Sequence, residues 1–166
     1  TGVQTCALPI WGRFDSVLAS IQSKEFKDWF GDSKVVDSRG NPLIVYHGTT
    51  KDFEAFDKEK IARDQLGFHF GTKEQANNDR FIGKEGSSVM PVYLSIKNPI
   101  MLKDNSTWSY AKVRDQLLNK NILNKNEVHQ LEIDFWETTR ITNLINLLKE
   151  KGFDGIKYLN RHEGTL

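Results

Sequence analysis

Apolar residues recur along this chain with two periods, and the changes between them mark out the elements. Phe26, Trp29 and Phe30 stand at i, i+3 and i+4, so Ser23–Phe30 predicts a short amphipathic helix, closed by Gly31. Val35-Val36-Asp37, the turn formers Ser38-Arg39-Gly40-Asn41-Pro42, and Leu43 to His47 predict strand, turn and strand. Gly67-Phe68-His69-Phe70 predicts a short aromatic strand, and Thr72-Lys73-Glu74-Gln75 has the spacing of a capping box opening a helix. Val89 to Lys97 alternates as a strand until Asn98-Pro99 breaks it. Tyr110, Val113, Leu117 and Leu118 mark one later helix; Ile141, Leu144, Ile145 and Leu148 mark another, stopped at Gly152. Glu127 to Ile133 reads as helical, and Asp154 to Leu159 returns to strand character. With no internal repeat, low-complexity tract or Pro/Gly linker, the pattern predicts a single α+β unit.

Length agrees, since 166 residues with 38% hydrophobic and 11% aromatic content can bury one core and little more. Lys plus Arg total 23 against 22 for Asp plus Glu, which offers no broad electrostatic footprint for nucleic acid or anionic lipid. A small ligand or a protein is the better-fitting partner, and the chain is expected to be a monomer. No apolar run approaches the roughly 20 residues that span a bilayer, and no secretory leader is recognisable, so the chain reads as cytoplasmic. The lone Cys6 cannot form an internal disulfide, and no Cys/His set has zinc spacing; no metal site is expected. Residues 1–10, Thr1 to Ile10, resemble translated sequencing-adapter read-through and read as a non-native or disordered leader that packs on nothing. Residues 11–166 then form the domain.

Three segments carry chemistry, each with a plain structural alternative. Tyr46-His47-Gly48-Thr49-Thr50 sets an imidazole at a strand exit, beside a glycine that permits close backbone approach and two hydroxyls. Taken alone, a strand-end histidine is more often a satisfied structural residue. Gly67-Phe68-His69-Phe70-Gly71 suits stacking on a planar ligand, yet also describes a buried strand with one outward histidine. Glu163, in the polar turn Asn160-Arg161-His162-Glu163-Gly164, is a carboxylate after the last strand or an ordinary exposed turn residue.

Five segments in order resemble the ADP-ribosyltransferase domain of polyvalent proteins from phages and conjugative elements. They are Phe26 to Asp37, Val45 to Thr49, Gly67 to Phe70, Val89 to Pro99 and Gly152 to Ile156, within a resemblance running from about Phe26 to Gly164. That family is similar to the poly(ADP-ribose) polymerase and diphtheria-toxin group, which implies a split, bent β-sheet with helices around it and NAD as co-substrate. The four strands from Leu43–His47 to Asp154–Leu159 are then expected to share that sheet. By the same resemblance His47 holds a ribose hydroxyl, the Gly48 backbone binds the nicotinamide amide, and Thr49 lines the pocket. His69 stands where the family has a stacking tyrosine, so His47 and His69 are expected to face one cleft. A second tyrosine of the polymerases has Asn78 as its counterpart. Glu163 matches the acidic catalytic position, although relatives continue with another strand after such a turn, which implies C-terminal truncation.

The resemblance implies transfer of ADP-ribose from NAD to an unknown acceptor, expected to be a host protein in a recipient bacterial cell. A carboxylate would stabilise the ribose cation as the nicotinamide bond breaks. The alternatives are a non-catalytic NAD-binding module, favoured by His69 in place of tyrosine and by the missing terminal strand, or an NAD glycohydrolase. An RNA-end-processing transferase ranks below both, because Arg63, Arg80 and Lys84 are a thin lining for phosphate.

Overall fold

The computed structural model describes residues 7–10, 20–51, 53, 55–57, 61, 65–77, 85–105 and 107–159. Its helices and small sheets make an α+β protein, and its strands fall into two separate sheets, one of three strands and one of two. The chain divides into two compact units, residues 1–57 with 69–98 and residues 58–68 with 99–166.

In the first unit, strands β1 (Ala7–Pro9), β2 (Val45–Thr49) and β3 (Ser88–Leu94) form an antiparallel sheet in the order β1-β3-β2. β3 is central, and its inner half, Val92, Tyr93 and Leu94, is buried. Pro91 sits in this central strand without costing β2 a ladder bond. Tyr46, opposite it on β2, directs its N–H and C=O to Gly71, while the Pro91 carbonyl accepts from Ile10 N at 2.9 Å.

Helix α1 (Lys24–Phe30) matches the periodicity closely. The Ser23 hydroxyl accepts from Phe26 N at 3.1 Å, and Gly31, at φ 52°, closes the helix by donating to Lys27 O. Its buried face joins β3: Phe26 stacks on Phe30 with centroids 5.5 Å apart and meets Tyr93 edge-on at 5.2 Å. The buried Ser33 hydroxyl donates to Leu94 O at 2.8 Å and ties the segment after the helix to the end of β3. Helix α2 (Lys73–Ala76) carries the expected capping box between Thr72 and Gln75.

The second unit pairs β4 (Pro99–Leu102) with β5 (Gly155–Tyr158) in parallel. A parallel pair needs a long crossover, and helices α3 (Tyr110–Asn119), α4 (Lys125–Glu132) and α5 (Glu137–Glu150) supply it. Val113, Leu117, Ile141 and Leu144 are fully buried at the centre of this core with Ile100 and Leu102 of β4. Each helix presents its apolar residues at helical spacing, which accounts for one continuous core. None of the described helices is long and apolar enough to cross a membrane.

Several expectations need correction. Residues Ala7–Pro9 do not pack on nothing: they pair with Leu94, Tyr93 and Val92, and Ala7 is buried. The physical reason is that β3 has a second edge to satisfy, and the uncharged Ala-Leu-Pro segment alternates with Ala7 inward and Leu8 outward. Gly67–Phe70 is not a ladder strand. A single bridge joins Gly71 to Tyr46, and the His69 carbonyl, which would continue the ladder, accepts from the His47 ring instead. The strand at Leu43–His47 begins two residues later, because Leu43 still belongs to the turn through its bond to Val35 O. The four predicted strands do not share one ladder: Gly155–Tyr158 pairs with Pro99–Leu102, a strand hidden in the sequence behind the Asn98-Pro99 break.

Candidate functional site

The site is built on β2. Tyr46 bonds outward to Gly71 in both directions, at 2.9 and 3.0 Å, so alternation along an antiparallel strand turns Val45, His47 and Thr49 toward β3 and Gly48 outward again. The Gly48 N–H and C=O therefore project from the outer edge of β2, where no described residue pairs with them. One residue there offers a donor and an acceptor side by side, the complement of a primary amide.

His47 lies next to that edge. Its ring is half-buried among Phe53, Phe56 and Phe70, with centroid separations of 6.1, 5.2 and 5.5 Å. Nδ1 sits 2.8 Å from the backbone carbonyl of His69. A carbonyl oxygen only accepts, so Nδ1 carries the proton and Nε2 is the acceptor nitrogen of the neutral ring. Burial among the phenylalanines pushes the imidazole below its ordinary pKa, partly offset by the His69 carbonyl. The ring is thus neutral near pH 7, held in one tautomer and one orientation.

His69 itself is exposed, and its backbone carbonyl meets the His47 ring. From the same segment the Phe70 ring packs on His47. Thr49 is buried, and its hydroxyl is engaged in a local turn, accepting from Lys51 N at 3.0 Å and donating to Lys51 O at 3.3 Å. It shapes the strand end and presents little hydroxyl to a ligand. Glu163 and Asn78 lie outside the described residues. Among the described residues no group of three or more acidic, His or Cys side chains could hold a metal ion.

Sequence reasoning missed Phe53 and Phe56. Their spacing of three after the Thr49-Thr50 exit was the available signal, and Phe56 is buried against both His47 and Phe70. Without tertiary contacts, two phenylalanines in a charged loop carry no indication of which ring they will surround.

In comparison with known families, residues 37–165 match the family described as ADP-Ribosyltransferase in polyvalent proteins. No curated protein and no solved structure matches the chain.

Proposed function

Because the chain belongs to the family of ADP-ribosyltransferases in polyvalent proteins, we propose that it transfers ADP-ribose from NAD to an acceptor protein. The observation that carries this reading is the pairing of a tautomer-locked His47 with the outward backbone of Gly48. His47 Nε2 accepts from a ribose hydroxyl. The Gly48 N–H and C=O hold the nicotinamide carboxamide. The exposed His69 ring offers a planar surface to the nicotinamide, and Phe70 supports His47 from the side. Thr49 stabilises the strand end that aims both groups.

The chemistry is dissociative. The bond from nicotinamide nitrogen to the ribose carbon breaks, its electron pair leaves with neutral nicotinamide, and cationic charge spreads over the ribose ring. Glu163 is the carboxylate in our reading that stabilises this cation and orients the ribose hydroxyl. A nucleophile on the acceptor then bonds to the ribose carbon and gives up its proton. The protein supplies position and electrostatics without a covalent intermediate of its own. The acceptor fits a protein of a bacterial cell that receives phage or conjugative-element DNA, consistent with the polyvalent family.

The experiment is transfer of label from NAD to protein together with nicotinamide release. Glu163→Gln keeps size and most hydrogen bonding but removes the charge. Turnover should fall by at least about a hundredfold while NAD affinity changes little, the pattern of an interaction made in the transition state. Nicotinamide release with water as the only acceptor would assign a glycohydrolase. NAD binding without any release would assign a binding module, and no binding at all would remove the proposal.

A further inference from the structure

The loop between α4 and α5 displays three large apolar side chains that the adjoining core does not use. Ile133 is 66% exposed, Phe135 83% and Trp136 69%. Together they leave on the order of 400 Å² of apolar surface in water, the size of patch that in monomers is often functional. Loose packing does not explain this exposure. Arg140 Nε donates to Asp134 O at 2.7 Å, Asn143 Nδ2 donates to Asp134 Oδ2 at 2.7 Å, and Tyr110 N donates to Glu137 Oε1 at 3.0 Å. The chain is therefore pinned on both sides of Phe135-Trp136, and the two rings stand edge to face at 5.2 Å outside the pins. Rigid aromatic side chains presented in this way bind with little ordering cost.

Charge selects the occupant. Glu132, Asp134 and Glu137 flank the rings, and Asp115 joins Glu132 through Arg114. Among the described residues the cations bonded within this group are Arg114 and Arg140, two against four carboxylates, so the rim is acidic. Phosphate-rich nucleic acid and anionic lipid are repelled by such a rim, and a second copy would bring like charge to like. We propose that Ile133, Phe135 and Trp136 form a docking surface for a partner protein whose contact segment sets lysine and arginine side chains around apolar residues. This inference stands apart from the NAD site and needs no turnover.

Two amphipathic helical peptides with identical leucine positions test it, one with Lys/Arg and one with Glu at the remaining positions. The protein carries 5-fluorotryptophan, and the Trp136 resonance is assigned with Trp136→Phe. The basic peptide should shift that resonance, bind at least tenfold more weakly to Phe135→Ser/Trp136→Ser, and weaken as salt is raised. The acidic peptide should do none of this. Should the double variant unfold, Phe135→Ser alone, read through the Trp136 resonance, serves the same purpose. Equal response to both peptides, or an unmoved Trp136 resonance, overturns the proposal. So does sedimentation showing a dimer that the double variant abolishes, or stronger binding to phosphatidylserine vesicles than to the basic peptide.

Discussion

Replacing His47 by leucine separates what this ring does for ligand from what it does for the fold. Leucine retains apolar contact with Phe53, Phe56 and Phe70 but removes both nitrogens. The lost bond to the His69 carbonyl, 2.8 Å long, is worth about 0.5–1.5 kcal/mol net. Its acceptor belongs to an exposed residue that water can reach, so the low end applies, and added apolar burial offsets part of it. Stability should change by less than about 1 kcal/mol, a melting shift of roughly 2–4 °C at this chain length. NAD binding loses a hydrogen bond whose partner, the ribose hydroxyl, then meets hydrocarbon. That costs about 1–3 kcal/mol, a rise in Kd of roughly 5- to 150-fold. Calorimetric titration with NAD and a thermal melt on the same sample measure both quantities. His129→Ala, in α4, is the control and should leave affinity unchanged. An affinity unaffected by His47→Leu would refute the ligand role; a melt lowered by far more than the affinity would make His47 a structural residue.

Acidification should act through the same ring. Because burial holds the His47 pKa below 6.5 in the fold, its contribution to stability is complete above that pH and is lost as pH falls through the lower folded value. NAD affinity should be flat from pH 8 to 6.5 and then decline by up to tenfold per unit, since protonated Nε2 can no longer accept; a decline beginning above pH 7 would contradict the aromatic burial. His69→Ala should weaken NAD binding severalfold with no change in melting temperature, whereas Phe70→Ala should lower both, and equal melting losses for the two would mean that the His69 ring is structural. Gly31→Ala should destabilise the first unit by about 1–3 kcal/mol, because φ 52° with ψ −128° disfavours a side chain and its Cβ would lie 3.0 Å from Lys97 Nζ; an unchanged denaturant midpoint would show that the helix end can relax.

Local chemistry alone determined a large part of this protein. The helix at Lys24–Phe30, its serine and glycine ends, the Thr72–Gln75 capping box and the helices around Val113 and Leu144 follow from periodicity and from side chains bonding within one turn. The family was also legible, because His47-Gly48-Thr49 and the segments around it keep their order along the chain. Pairing between distant segments was not. Whether Ala7–Pro9 finds an edge, and whether Pro99–Leu102 lies parallel to Gly155–Tyr158, depends on which backbone donors the rest of the fold leaves open. The site shows the same division. Its histidine was visible in the sequence, but its tautomer, its neutral state and its wall of phenylalanines arise from a carbonyl 22 residues away and from burial, which no local pattern encodes.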